Sequence, residues 1–437
     1  MSTVAFHTLG CKVNHYESEA MMDLFKKQGY EIKDFDDIAD IYVVNSCTVT
    51  NQAARKSRQL ARRAKRVNPA AIVALVGCYT QVSPEEVKNI DGVDLFIGTS
   101  NRSNIVEYVE SVHDQGKADI NILERQELNV FEELRVDTLR ETTRAYVKIE
   151  EGCNQFCSYC IIPYARGPVR SRKHASVVDE VKELVKRGVK EIILTGTHLG
   201  AYGYDWDKDN SLEELIEYLV DIKDLEHIRL SSIEITEISD RLLGIIANEE
   251  KLCPHLHLPL QSGSNKILKK MKRPYTKDEF RQVINKIRGK VADIAITTDL
   301  IVGFPGEDQE SFQEHLEFVK EMAFSRLHVF PFSAREGTPA AGMKEQIPGD
   351  IKKEYSSKMR HLNEKLMLAY QQKHLGKIRK LIVEESRDHQ TNFLTGVTDN
   401  YIRVLLDEDS KYMGNMVDVK LVKSIDFENA FGKIILL

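Results

Sequence analysis

The sequence predicts a mixed α/β protein made of three structural units in series. Two long stretches alternate short apolar runs with helical patterns, which is typical of parallel sheets covered by helices. A third stretch, at the C-terminus, has five short alternating runs separated by polar turns, which is typical of a small antiparallel barrel. The chain has 437 residues and is therefore too long for one ordinary hydrophobic core.

The first unit, predicted over residues 1–112, is a doubly wound α/β domain. Buried parallel strands are predicted at residues 4–9, 41–45 and 72–76, with a weaker one at 95–97. Helices are predicted at residues 17–28, 52–66, 84–89 and 104–112. Residues 113–143 are polar and mixed in charge, and they predict a connector with room for a short strand.

The second unit, predicted over residues 144–340, alternates six strands with helices. Its strands are predicted at residues 146–149, 191–195, 227–232, 255–258, 294–302 and 326–332. Its helices are predicted at residues 177–186, 212–220, 241–247, 277–288 and 309–322. Such a sheet could curl into a partial (βα)6 barrel with functional loops at its carboxyl rim, and a flat sheet fits the pattern equally well.

The C-terminal part begins with a linking segment, residues 341–374, dominated by one long amphipathic helix from residue 350. The small barrel is predicted over residues 375–437, with strands at 380–384, 393–397, 402–406, 416–422 and 433–436. Small barrels of this kind often bind oligonucleotides, but acidic and basic residues are nearly balanced here, so charge gives no support for that role.

Composition favours a cytoplasmic protein. The net charge is −6 at pH 7, and the sequence has neither a signal peptide nor an apolar run long enough to cross a membrane. The seven cysteines are an odd number, and in a reducing compartment they indicate metal ligands, catalytic thiols or core residues in preference to disulfides.

One segment contrasts with this acidic balance. No acidic residue occurs between Asn51 and Pro84, and the predicted helix within this segment is strongly basic. A solvated helix face is the usual meaning of such charges, but the lack of balancing acids favours contact with a polyanion. The candidate contacts are Arg55, Lys56, Arg58, Arg62 and Arg63.

The most specific motif is Cys153-x-x-x-Cys157-x-x-Cys160, with Tyr159 before the last cysteine. Three thiolates within eight residues can hold three irons of a [4Fe–4S] cluster and leave the fourth iron free to bind a reactant. A zinc site normally has a fourth Cys or His at matching spacing, and no second C-x-x-C occurs. Cys253 stands alone and is interpreted as a buried structural residue.

Three further cysteines, Cys11, Cys47 and Cys78, each directly follow a predicted strand of the first unit. Ligands of open α/β sheets gather at the carboxyl ends of strands, so these thiols can converge on a second metal site despite their separation. Three unrelated buried cysteines remain the alternative, because free cysteine is often a small core residue.

The cysteine motif and its position resemble those of the radical S-adenosylmethionine (SAM) enzymes. Within that superfamily, the three spaced N-terminal cysteines, the block Gly152 to Arg172 and the terminal barrel are similar to the methylthiotransferase family. The resemblance implies a radical-SAM partial barrel, a TRAM-type RNA-binding barrel and two [4Fe–4S] clusters. Cys153, Cys157 and Cys160 would hold the cluster that binds SAM and generates the radical, and Cys11, Cys47 and Cys78 would hold the cluster that delivers sulfur.

The opening segment His7 to Asn14 is most similar to the branch of this family that modifies threonylcarbamoyladenosine in tRNA. That branch uses SAM both as methyl donor and as radical source, and its product carries a 2-methylthio group on the nucleotide 3′ of the anticodon. The implied partners are the tRNA anticodon arm, an electron donor such as flavodoxin or ferredoxin, and a sulfur source that the sequence does not identify. Alternatives are a methylthiotransferase for isopentenyladenosine or for a ribosomal protein, and a non-catalytic iron–sulfur protein that binds RNA or carries electrons.

Rim segments of the predicted barrel supply candidate contacts to SAM, although each could be an ordinary turn after a strand. Arg335, which follows the last strand of the unit, could contact RNA or simply end the sheet. The candidate SAM contacts are Tyr159, Thr195, Gly196, Ser232, Glu234, Gln261 and Asp299.

Overall fold

The computed structural model describes residues 2–115, 119–136, 143–206 and 211–435. Its N-terminal unit is a parallel sheet with helices on both faces. Its six strands lie in the order β2-β1-β3-β4-β5-β6. The strands are Thr3–Thr8 (β1), Glu31–Lys33 (β2), Ile41–Ser46 (β3), Ile72–Gly77 (β4), Leu95–Ile97 (β5) and Asp119–Asn121 (β6). The helices are Lys12–Lys27 (α1), Asn51–Val67 (α2), Cys78–Val82 (α3), Pro84–Val87 (α4) and Ile105–Gln115 (α5).

The central strands of this sheet match the predicted apolar runs, because β3 and β4 are buried almost throughout. The sequence did not predict β2, a short edge strand with a single apolar residue. The connector contains β6, which pairs with β5 and extends the sheet past residue 112. Helix α1 begins at Lys12 and not at residue 17, so the helix starts immediately after Cys11.

The central unit has six parallel strands in chain order, arranged as two groups of three. A bridge between Ser232 and His257 joins the groups β7-β10-β11 and β12-β13-β14. The parallel strands are Arg144–Lys148 (β7), Glu191–Thr195 (β10), His227–Leu230 (β11), His255–His257 (β12), Ala295–Val302 (β13) and Arg326–Pro331 (β14). A separate antiparallel pair is formed by Glu150–Glu151 (β8) and Arg170–Ser171 (β9). The helices are Ile162–Arg166 (α6), His174–Lys186 (α7), Ser211–Val220 (α8), Asp240–Asn248 (α9), Asn265–Lys270 (α10), Lys277–Lys290 (α11) and Gln309–Met322 (α12).

The central sheet is curled. Residues from five of the six parallel strands, and Ser231 and Ser232 directly after β11, line one interior cavity, which a flat sheet could not arrange. The outer face packs against the helices through a continuous core that includes Val181, Leu215 and Phe280. The central unit is therefore a partial barrel, and of the two forms that the sequence left open this is the one adopted.

A long helix, Gly349–His374 (α13), leads into a closed five-stranded barrel in the order β15-β16-β17-β19-β18. All strand pairs in it are antiparallel except β17 with β19. The strands are Ile378–Arg387 (β15), Leu394–Thr398 (β16), Arg403–Leu406 (β17), Met416–Ser424 (β18) and Asn429–Ile434 (β19). The mixed α/β fold with a small C-terminal β-barrel confirms the predicted fold class.

The small barrel covers the end of the central partial barrel at which Arg229 and His255 lie. Its β16–β17 turn places the Tyr401 ring flat against His255, with ring centroids 4.1 Å apart and planes inclined by 4°. Arg229 on β11 donates hydrogen bonds to the carbonyl oxygens of Thr398 and Asp399 at 2.8 and 3.1 Å. Tyr401 consequently forms part of the floor of the interior cavity.

Candidate functional site

The loop that carries the cysteine motif is closed at its base by the short antiparallel pair β8–β9. Gly152 enters the loop with φ of 97°, and a Cβ atom there would lie 1.8 Å from the carbonyl oxygen of Pro168. Only glycine fits this position. The backbone N–H of Cys153 donates to the carbonyl of Gly167 at 3.0 Å, which holds the two ends of the loop together.

The thiols of this loop are surrounded by hydrogen-bond donors. The backbone N–H of Gln155 lies 3.3 Å from Cys153 Sγ, and His198 Nδ1 lies 3.6 Å from the same sulfur. Arg273 Nη1 donates to Cys157 Sγ at 3.3 Å. Burial raises the pKa of Cys160 to about 12, so this thiol needs a positively charged metal centre to ionise. Three sulfur ligands with cationic donors around them fit an iron–sulfur cluster.

The N-terminal cysteines also converge, as their positions after β1, β3 and β4 predict. A Cβ atom on Gly10, whose φ is 111°, would lie 3.0 Å from Cys47 Cβ, so the Cys11 segment runs directly against Cys47. Burial raises the pKa of Cys78 to about 12, and Arg166 Nε donates to its sulfur at 3.3 Å. The three free thiols line one cavity and fit a second cluster of the same kind.

The arrangement differs from a site for a single metal ion. Among the described residues, the one trio of Cys, His or acidic ligand atoms that lie within 4.8 Å of one another is Glu191, His227 and Cys253. Glu191 there is neutralised by Arg144 and Arg229, at 2.5 and 3.0 Å, so the trio is part of a buried ion-pair network. Cys253 is buried within it, in keeping with a structural role.

Two adjoining cavities connect the cysteine groups. The large cavity, of about 660 Å³, is lined by Cys11, Cys47 and Cys78 and by residues along the central strands. The small cavity, of about 220 Å³, is lined by Tyr159 and Cys160. Both cavities share the walls formed by Val49, Ile162, Asp299 and Phe330. Cys160 of the cluster loop and the three N-terminal cysteines therefore face neighbouring parts of one internal space.

The candidate SAM contacts divide between these cavities. Tyr159 and Gln261 line the small cavity, and Asp299 lines both. Three further candidate SAM contacts line the large cavity, namely Thr195, Gly196 and Ser232.

Glu234 lies on the wall of neither cavity, which does not favour the predicted contact of its carboxylate with a ribose. Its carboxylate accepts a hydrogen bond from Arg273, the arginine that also donates to Cys157. Glu234 thus acts on the cluster loop through Arg273.

The basic helix α2 is only partly available to a ligand. Arg55, Lys56 and Arg62 are exposed and have no hydrogen bond or ion pair with the part of the chain that is described; we call them the free basic face. The paired arginines, Arg58 and Arg63, form ion pairs with Glu86 at 2.7 Å and Asp36 at 2.6 Å.

Arg335 does not contact solvent as an RNA-binding residue would. It is 8% exposed, and its guanidinium donates to Thr48 Oγ1 at 2.5 Å and to Asn51 Oδ1. It therefore joins the central barrel to the segment between Cys47 and α2, which does not favour the predicted RNA contact.

A buried ion network joins the N-terminal unit to the cluster loop. Arg166 donates to Glu17 at 2.5 and 3.0 Å, to Glu151 at 2.7 Å and to Asn14 at 2.7 Å. Burial opposes ionisation of Glu17, but Arg102, Arg166 and Lys148 outweigh it and hold its pKa at about 2. Arg166 thus connects the sulfur of Cys78 to the loop that holds the other cysteine group.

Sequence reasoning gave no role to Arg166, Arg273 or His198. Arg166 lies inside the block Gly152 to Arg172, and His198 lies in a rim segment. Both residues therefore belong to segments that the sequence marks as functional, although the sequence gives neither side chain a role. Arg273 had no local signal, because it meets Cys157 through a separation of 116 residues.

No described helix is both long and apolar enough to cross a membrane.

Comparison with known proteins first defines the class. A model of the radical SAM superfamily matches residues 147–319, and a model described as the uncharacterized protein family UPF0004 matches residues 3–98. The radical SAM methyltransferase TsrM from Kitasatospora setae, solved with cobalamin and a [4Fe–4S] cluster, has a similar fold. Its TM-score is 0.59 at 15% identity, over 78% of this chain and 77% of TsrM. The chain is a radical SAM protein.

Curated relatives then define the family. The threonylcarbamoyladenosine tRNA methylthiotransferase MtaB of Bacillus subtilis is 43% identical over 97% of this chain and 94% of that protein. The MtaB of Aquifex aeolicus is 42% identical over 95% and 99%. The tRNA-2-methylthio-N(6)-dimethylallyladenosine synthase of Clostridium tetani is 36% identical over 97% and 95%. The chain belongs to the family of the MtaB-type threonylcarbamoyladenosine tRNA methylthiotransferases, as the sequence motifs indicated.

Proposed function

We propose that this protein attaches a methylthio group to C2 of the adenine in N6-threonylcarbamoyladenosine of tRNA, on the 3′ side of the anticodon. The identity to MtaB proteins over nearly the whole chain supports this substrate. The observation that carries the proposal is the pair of adjoining cavities, with Cys160 of the cluster loop on one and the three N-terminal cysteines on the other. A nucleotide in the large cavity would be within reach of both.

Each cysteine group would hold one [4Fe–4S] cluster, and SAM would occupy the small cavity beside Tyr159, Cys160 and Gln261. When bound, these groups supply the radical that activates an unreactive aromatic C–H bond and the sulfur that replaces its hydrogen. No side-chain base could remove that hydrogen, because it is not acidic.

The protein's own residues position and shield these groups. Arg273 and His198 contact sulfurs of the cluster loop, and Arg166 contacts Cys78. Such contacts orient metal ligands and stabilise thiolates. The walls shared by the two cavities include the apolar side chains of Val49, Ile162 and Phe330, which limit the access of water to a reactive intermediate.

The large cavity has a size suited to a nucleotide turned out of the anticodon loop. Helix α2, which carries the free basic face, begins two residues after Val49, a residue on the wall of both cavities. We propose that this face binds the phosphates of the anticodon arm and that the small C-terminal barrel recognises the shape of the arm. An electron donor such as flavodoxin or ferredoxin, and a separate sulfur source, complete the system in the cytoplasm, where tRNA is found.

The test is mass spectrometry of tRNA nucleosides from a strain that lacks the gene, with and without the gene restored. We expect 2-methylthio-threonylcarbamoyladenosine to disappear in the deletion strain and to return with the wild-type gene. Fully methylthiolated threonylcarbamoyladenosine in the deletion strain, with no second such enzyme present, would refute the proposal. Loss of only the dimethylallyladenosine product would instead identify the activity of the Clostridium tetani relative.

A further inference from the structure

Lys12 presents an ammonium group to the large cavity without a partner. It follows Cys11 directly, and its side chain is exposed on the wall of the cavity. Among the residues that the structure describes, it takes part in no hydrogen bond or ion pair.

The other charged groups nearby are already paired. Arg144 and Arg229 share the carboxylate of Glu191 at 2.5 and 3.0 Å. Asp299, the acid on the shared wall, pairs with His257 at 3.3 Å. Lys12 is thus left with a positive surrounding and no carboxylate of its own. An exposed ammonium with no protein partner is free to pair with a ligand that brings an anion into the cavity.

The substrate of the proposed reaction has such an anion. The threonylcarbamoyl group ends in a carboxylate, whereas a dimethylallyl group is uncharged. C2 and C6 of adenine are both bonded to N1, so the group on the C6 amine and the C2 carbon occupy one edge of the base. If C2 faces the N-terminal cysteines, the side chain of the base lies beside the residue that follows Cys11.

We infer that Lys12 binds the threonyl carboxylate of the substrate nucleotide and so selects threonylcarbamoyladenosine over uncharged N6-substituted adenosines. This inference rests on the proposed function. The competing role for Lys12 is to balance the charge of a cluster held by Cys11, and the two roles differ in what the loss of the ammonium changes.

The experiment is a binding cycle with two synthetic anticodon stem-loops. One carries threonylcarbamoyladenosine, and the other carries the same nucleotide with its carboxylate replaced by the nearly isosteric carboxamide. Dissociation constants are measured anaerobically for the reconstituted wild type, Lys12→Met, Lys12→Arg and the control Lys353→Met. Lys353 is exposed on α13, so its substitution removes the same charge away from the cavity.

We expect the wild type and Lys353→Met to bind the carboxylate RNA about 10- to 100-fold more tightly than the carboxamide RNA, as for a charge-assisted hydrogen bond. Lys12→Met should bind both RNAs equally, with the affinity for the carboxamide RNA unchanged, and Lys12→Arg should recover part of the preference. Iron content and the electron paramagnetic resonance spectrum should match those of the wild type.

Equal weakening on both RNAs, an unchanged preference in Lys12→Met, or loss of iron from that variant would each overturn the inference. Failure of the proposed function would be seen in a different experiment. The wild type would then leave the threonylcarbamoyladenosine stem-loop unmodified in the presence of SAM and reductant. The binding cycle judges Lys12 in either case, because it does not depend on turnover.

Discussion

Replacement of Arg166 by methionine should lower stability and weaken the N-terminal cluster site together. The substitution removes the donor to Cys78 and leaves Glu17 and Glu151 with fewer cations. Removing one partner of a buried ion pair typically costs about 3–5 kcal/mol. Glu17 keeps Arg102 at 2.6 Å and Lys148 at 3.2 Å, so we expect a loss near the lower limit, about 3 kcal/mol.

The size of this loss should depend on pH. The pKa of Glu17 in the folded protein is about 2, below its unfolded value, so its contribution to stability is present above the unfolded pKa and disappears as the pH falls towards 2. Removing Arg166 raises the folded pKa. The stability difference between wild type and Arg166→Met should therefore be complete at neutral pH and should shrink as the carboxylate becomes protonated.

The assay is urea unfolding of the cluster-free protein, followed by circular dichroism under anaerobic conditions at neutral pH and at about pH 3. Arg166→Lys keeps a charge but cannot form all the contacts of a guanidinium, so it should lose less stability than Arg166→Met. After reconstitution, both variants should lose iron preferentially from the N-terminal site. An Arg166→Met protein with wild-type stability, or with a loss that is the same at both pH values, would refute the reasoning.

Three further predictions concern the RNA face, the cluster loop and the cavity floor. Glutamine substitutions throughout the free basic face should weaken tRNA binding and reduce the slope of log K against log salt by about 2–3. The same substitutions at the paired arginines should weaken binding less and change the slope less. Filter-binding measurements across a range of salt concentrations distinguish the two sets of variants. Arg273→Met should weaken cluster retention at the SAM-binding triad by about 10- to 100-fold, seen as reduced cleavage of SAM to 5′-deoxyadenosine, with the N-terminal iron unchanged. Tyr401→Ala should lower stability by about 2 kcal/mol through loss of the His255 stack, and Tyr401→Phe should retain it; equal unfolding midpoints for both would contradict this.

The elements that the sequence predicted well are those with a dense local signal. Buried strands such as Ile41–Ser46 and Ile72–Gly77 are continuous apolar runs, and the cysteine motif is contained within eight residues. The edge strand Glu31–Lys33 escaped prediction because its pairing with β1, and not its own composition, makes it a strand. The early start of α1 was missed because Cys11 at its N-cap makes no side-chain capping bond.

The parts of the site that could not be predicted depend on contacts between distant segments. Arg166 meets Cys78 across 88 residues, and Arg273 meets Cys157 across 116. A basic residue carries no local sign that it will be buried beside a sulfur. Arg335 could not be placed from the sequence either, because a residue after the last barrel strand can face solvent or an interface. Its hydrogen bond to Thr48 places it at an interface.

The most direct test of the two-cluster account is anaerobic turnover with SAM, reductant, a sulfur source and the threonylcarbamoyladenosine stem-loop. The comparison is between the wild type and a variant with Cys11, Cys47 and Cys78 changed to alanine. The account predicts that the wild type forms the 2-methylthio nucleoside and that the variant, with about half the iron, still produces 5′-deoxyadenosine without that product. Methylthiolation by the variant would contradict the account, because the N-terminal cysteines would then not be needed for sulfur delivery.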